Sequence, residues 1–150
     1  GGKYVKCRNE ARNPIEVKRD EYQRFLDTIL KYTEIVCFTV VPYLDHIDEL
    51  RDDIRYEKIM GSYIDSEFIE SIHTENCKES LVYFKLDYYV RKFLKEKKDL
   101  FDFYDEGASV NLEDIVFIGK NGVICDTITH EKYCAVSDDL LSEIEKNRKY

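Results

Sequence analysis

Thr129-His130-Glu131 sets an imidazole beside a carboxylate. That pairing suits general acid–base work, because the unperturbed histidine pKa of about 6.5 lets one side chain both take and give a proton near neutrality. Glu113 and Asp114 are the carboxylates that could join it. They open the run Asp114-Ile115-Val116-Phe117-Ile118-Gly119, which is followed by Lys120-Asn121-Gly122 and then by Val123-Ile124-Cys125-Asp126-Thr127-Ile128. Two β-prone runs around an Asn-Gly read as a hairpin. A hairpin brings the start of its first strand opposite the end of its second, so the four polar positions should meet at one sheet edge. The catalytic candidates are therefore His130 as acid–base, with Glu131, Glu113 or Asp114 to position it. The same residue types also make turns whose side chains cap backbone groups, and that structural role is the commoner one.

Other chemistry finds less support in the spacing. Cys125, His130 and Cys134 form C-x4-H-x3-C. A structural zinc site needs four ligands, and no paired C-x2-C supplies the rest; the expectation is no metal and no cofactor. His46 lacks the second histidine of an H-E-x-x-H pattern. His73 follows an apolar stripe, where a cation near a helix C-terminus is favoured. No glycine-rich phosphate loop and no nucleophile elbow occurs. The five cysteines are odd in number and widely spaced. They read as small buried hydrophobes in a reducing compartment rather than a disulfide framework. With no signal-peptide pattern at the start of the sequence, the expected location is the cytosol.

Charge is the second signal. The chain carries a formal net charge of -8, and residues 43–79 hold 11 acidic against 4 basic side chains, a local -7. Nucleic acid is a poor partner for such a surface, since affinity there rests on neutralising phosphates. No apolar run reaches the ~18 residues a membrane helix needs, so no membrane association is expected. A basic protein partner fits. Asp45, Asp48, Glu49, Asp52 and Asp53 are its candidate binding residues; read without a partner, they form a solvated helix face. Twelve tyrosines add modestly to the interface reading, because tyrosine is enriched there.

The elements that must position these groups follow from periodicity. Asp20 with Gln23 makes a capping-box pattern, and Tyr22, Phe25, Leu26, Ile29 and Leu30 form one apolar stripe, predicting a helix over Asp20–Tyr32. Ile15–Lys18 alternates like a short strand. Glu34–Val41 is apolar on both faces, as a central strand is. One helix should cover each face: Asp20–Tyr32 on one, and on the other a helix over Tyr43–Lys58 carrying Leu44, Ile47, Leu50 and Ile54. Gly61 should stop that second helix. Asp65 or Ser66 should cap a shorter helix bearing Phe68, Ile69 and Ile72. Ser80–Lys98 admits one helix or a strand followed by a helix capped by Asp87. The β-prone Leu81-Val82-Tyr83-Phe84 favours the second. Tyr133–Val136 reads as a strand, and Ser137 caps a last helix over Asp138–Lys146. These elements predict one α+β domain over residues 1–150, a largely antiparallel sheet with a C-terminal β-hairpin, packed by several amphipathic helices. The oligomeric state is left open.

Leu100-Phe101, Glu113-Asp114, Phe117, Gly122 and Thr129-His130-Glu131 also resemble the C-terminal half of a group of small uncharacterised bacterial proteins. In that group a helix ends in Leu-Phe-aromatic, and a hairpin ends in Ser/Thr-His-Glu. The resemblance covers roughly the last half of the chain. This chain departs from it in having no Trp. It implies a single-domain cytosolic protein without an assigned activity, and an immunity-type inhibitor is among the roles it admits.

Overall fold

The computed structural model describes residues 11–70 and 77–148. Seven strands are present there: β1 (Asn13–Ile15), β2 (Thr33–Val41), β3 (Tyr63–Glu70), β4 (Lys78–Lys85), β5 (Asn111–Gly119), β6 (Gly122–Ile128) and β7 (Tyr133–Val136). They form one sheet in the order β1-β7-β6-β5-β2-β4-β3, and every neighbouring pair is antiparallel. The α-helices are α1 (Tyr22–Leu30), α2 (Asp48–Arg51), α3 (Tyr88–Lys95) and α4 (Asp138–Arg148). Short 3-10 segments occupy Arg19–Glu21, Ile54–Ser62 and Thr129–Glu131. The fold is the expected α+β architecture with its C-terminal hairpin.

β2 is an interior strand between β5 and β4, and its alternation divides the interior in two. Val36, Phe38 and Val40 join the larger core with Phe25, Leu26 and Ile29 of α1, Val90, Phe93 and Leu94 of α3, and Leu140 and Ile144 of α4. Cys37 faces the other way, into a smaller cluster with Leu81, Tyr83, Val116 and Val123. Leu50 and Ile59 also belong to the larger core. The chain after β2 therefore lies on the same sheet face as α1, and the expectation that the two cover opposite faces is corrected. The Leu44 N–H donates to Ser80 Oγ at 3.2 Å, and Ser80 shares its face with Val82 and Phe84. That bond holds the segment on the helix side.

Two helices of the sequence reading are replaced. Tyr43–Lys58 shrinks to the single turn α2 and the 3-10 segment Ile54–Ser62. Asp45, Asp48, Glu49 and Asp52 crowd like charges at helical spacing, which weakens a continuous helix. Asp53 then turns extended (φ -82, ψ 121), and its carboxylate accepts the Arg55 N–H at 2.9 Å, starting a new turn. The register changes there: Ile54 is 83% exposed, while Tyr56 and Ile59 are buried. Gly61 precedes the end of this segment by one residue. The helix expected around Phe68 and Ile69 is strand β3, paired with β4 from Asp65↔Tyr83 to Glu70↔Lys78. The Asp65 carboxylate accepts from Ser66 N–H instead of capping a helix. Ile72 and His73 lie outside the described residues.

Elsewhere most local signals hold, with two corrections. The strand expected over Ile15–Lys18 is β1, which ends at Ile15. The capping box falls not on Asp20 and Gln23 but on the 3-10 turn before α1, where the Lys18 N–H donates to the Glu21 carboxylate at 3.2 Å. Ser80–Lys98 is strand then helix, and Asp87 caps α3 by accepting the Val90 N–H at 3.1 Å. Carbonyls at the end of α3 are orphans by construction. Tyr22 Oη donates to that of Leu94 at 2.7 Å, and Gln23 Nε2 to that of Lys95 at 2.8 Å, so the first turn of α1 caps the last turn of α3. Ser137 Oγ accepts the Leu140 N–H at the start of α4. The hairpin turn falls on Lys120-Asn121, and Gly122 is its positive-φ residue (φ 129). Gly119 is fixed by contact: a Cβ there would lie 2.7 Å from the Tyr32 carbonyl oxygen.

Candidate functional site

The Glu113–His130 corner is built on a bulge. β2 and β5 pair Cys37↔Val116 and then Thr39↔Glu113, so β5 carries one extra residue. Asp114 absorbs it at φ 56, a conformation that aspartate tolerates better than most residues. Bulges of this kind re-aim a side chain. Here the Thr129 N–H donates to Asp114 Oδ1 at 2.7 Å, and the Asp114 N–H donates to Thr129 Oγ1 at 2.9 Å. Both residues are buried. Asp114 thus anchors the 3-10 turn Thr129–Glu131, which closes when the Lys132 N–H, at φ 53, reaches the Thr129 carbonyl at 3.1 Å.

Glu113 is half-buried, and its carboxyl is held above the usual carboxylate range. Burial is the main cause, and the charges of Asp114 and Glu79 add to it, while His130 opposes it. The structure therefore brings Glu113, Asp114, Thr129 and His130 together. His130 and Glu131 are exposed, and none of the three cavities described in this structure is lined by either. An imidazole near one carboxyl can exchange a proton with it.

Cys125 and Cys134 meet with their sulfurs 3.6 Å apart, buried in the core. Burial pushes the Cys125 thiol well above its ordinary pKa, which disfavours the thiolate that binds metal. His130, exposed on the turn, is outside that contact. Among the described residues no group of three or more His, Cys, Asp or Glu side chains could hold a metal ion.

The acidic candidates divide. Asp45 and Asp48 are each 79% exposed and surround His46, whose ring nitrogens lie 3.6 Å from Asp45, 3.8 Å from Asp48 and 3.2 Å from Glu49. Asp52 is exposed as well. Asp53 is turned inward: Arg55 grips it through Nε at 3.0 Å and Nη2 at 2.8 Å, and also donates to Asn111 Oδ1 at 2.9 Å. That grip holds the Asp53 carboxyl below its ordinary range. Asp53 is thus a structural member of the group.

Two features escaped sequence reasoning. β3 carries Asp65, Glu67 and Glu70 along the outer edge of the sheet; a helical reading of that segment scattered these charges around an axis. The second feature is a groove of about 700 Å³ between Lys31–Glu34, the hairpin turn and the first half of α4. It lies at the end of β5 and β6 remote from Asp114. Its residues come from three distant segments, and no local pattern marks them. Among the described residues no helix is long and apolar enough to cross a membrane. In comparisons with family models, curated proteins and solved structures, nothing matches this chain.

Proposed function

We propose that the chain is a non-enzymatic cytosolic protein-binding module, of the kind an immunity-type inhibitor represents, whose acidic face engages a basic protein partner. The observation that carries the reading is the concentration of charge: residues 43–79 hold a net -7 of the chain's -8. Asp45, Asp48, Glu49 and Asp52 stand on the surface, while Leu50, Tyr56 and Ile59 pin the same stretch to the core. A surface patch of one sign steers an oppositely charged partner and speeds its association. The acid–base alternative through His130 keeps one supporting observation, the half-buried Glu113 within electrostatic reach of that imidazole. None of the three described cavities is lined by His130, and Asp114 is committed to Thr129.

The test is association with a basic partner recovered from the source cell. Binding should fall steeply with salt and weaken at least tenfold on replacing Asp48 and Asp52 together by lysine. Glu145→Lys, on α4, should leave it nearly unchanged. Binding indifferent to salt, or equally sensitive to both variants, would remove the acidic face as its cause.

A further inference from the structure

β3 ends the sheet, and among the described residues no strand pairs with its outer edge. Its register with β4 is continuous from Asp65 to Glu70, after one irregularity at Ile64. An open edge of this length presents a row of backbone donors and acceptors that can accept another strand. The opposite edge is unlike it: β1 has three residues, and Pro14 in its middle has no N–H to offer. From these features we infer that an extended, basic segment of the protein partner adds to β3 as an eighth strand. The inference rests on the acidic-face reading and specifies how that face is used.

Charge selects the occupant. β3 carries Asp65, Glu67 and Glu70 and has no lysine or arginine. Two copies of this chain joined through β3 would set carboxylates against carboxylates, which is destabilising across a strand pair. A basic segment meets the opposite condition. Asp45, Asp48, Glu49 and Asp52 precede this edge in the same acidic stretch and draw the segment in.

Side-chain alternation sharpens the match. Asp65 and Glu67 lie opposite Tyr83 and Leu81, which face the smaller cluster. Phe68 lies opposite Ser80 on the helix side. There its ring meets Tyr43 edge-on, with centroids 6.3 Å apart, and the two residues are 42% and 40% exposed. An added strand would therefore set one face against Asp65 and Glu67, the latter also accepting from the Tyr83 hydroxyl, and the other beside an aromatic ledge that ends at Glu70. The recognised sequence alternates basic and apolar residues.

The probe is the blocked heptapeptide Lys-Val-Lys-Val-Lys-Val-Lys, titrated into the whole 15N-labelled protein at low salt. Two further peptides are N-methylated, one at every valine nitrogen and one at every lysine nitrogen. Their charge is unchanged, and each loses the donors along one edge. The expected result is saturable, salt-sensitive binding with shifts and slowed amide exchange over residues 65–70. At least one methylated peptide should bind tenfold or more weakly, and Asp65→Lys with Glu70→Lys should weaken the parent peptide to a similar degree. If all three peptides bind alike and the binding is salt-sensitive, the edge inference fails while the acidic-face reading stands. If the unmethylated peptide does not bind at low salt, both fail. Dimerisation of the free protein through β3, seen by sedimentation and abolished by Asp65→Lys, would also overturn the inference.

Discussion

Replacing Asp114 by alanine distinguishes a corner kept for chemistry from one held for architecture. The geometry gives the cost in two parts. The buried Thr129 N–H loses its acceptor at 2.7 Å, and an unsatisfied buried donor costs about 1–3 kcal/mol. Alanine must also adopt φ 56, at about 1 kcal/mol for a residue with a Cβ and no local polar compensation. The expected loss is therefore about 2–4 kcal/mol, a large share of the ~5–15 kcal/mol typical of a domain. Asp114→Asn keeps both an acceptor and tolerance of the left-handed conformation, and should cost less than alanine. Thr129→Val removes the reciprocal acceptor at 2.9 Å and should cost about 1–3 kcal/mol. The double variant Asp114→Ala with Thr129→Val should fall short of the sum of the singles by about 1 kcal/mol or more, because the residues share one pair of bonds. Urea denaturation followed by circular dichroism reads these values, provided the m-value stays constant. If Asp114→Ala lies within ~0.5 kcal/mol of the parent, the anchoring role is refuted.

Three further outcomes are expected. Phe25→Ala should cost about 3–5 kcal/mol in chemical denaturation, since Phe25 of α1 is buried in the larger core; Asp52→Ala, at an exposed position, should cost less than ~0.5 kcal/mol. Glu113 has a raised folded-state pKa, so its ionisation opposes folding, and stability falls as pH rises through the folded value. Glu113→Gln should then gain on the parent at pH 7, the gain shrinking as pH drops toward the ordinary carboxylate value of about 4.3; a gain that grows in acid would reverse the sign of the argument. Tyr22→Phe removes the hydroxyl that donates to the Leu94 carbonyl and should cost about 1 kcal/mol, measured as a shift in the urea midpoint.

Elements governed by their own periodicity were legible in the sequence. The stripe Tyr22, Phe25, Leu26, Ile29 predicted α1, and Asp87 marked the start of α3. The paired β-prone runs predicted β5 and β6 to within a few residues. β3 was not legible, because Phe68, Ile69 and Ile72 also satisfy helical spacing. Its choice of strand is made by β4, whose outer backbone groups it satisfies. The break at Asp52-Asp53 was hidden for a related reason: Asp53 earns its place through Arg55, and Arg55 through Asn111, 56 residues further on. The meeting of Glu113, Asp114, Thr129 and His130 followed from hairpin geometry. The use of the Asp114 carboxylate did not, since it depends on a bulge opposite Phe38 that only the β2 pairing creates.

The two kinds of polar group in this protein are held in opposite ways. Asp53, Asp87 and Asp114 each accept backbone N–H groups and fix a turn, a helix start or a bulge. Their substitution disturbs the fold before it can touch any activity. Asp45, Asp48, Glu49 and Asp52 stand in water on a stretch whose position is set by Leu50, Tyr56 and Ile59. Their charges can therefore be exchanged at little cost in stability, because exposed groups contribute only weakly to it. A surface built this way can change its charge pattern while the core beneath is unaltered. The Glu113–His130 corner has the reverse character: its geometry is bound into the sheet, and its one exposed imidazole faces solvent. A recognition role at the acidic face is thus separable from folding, whereas a role at the corner would not be.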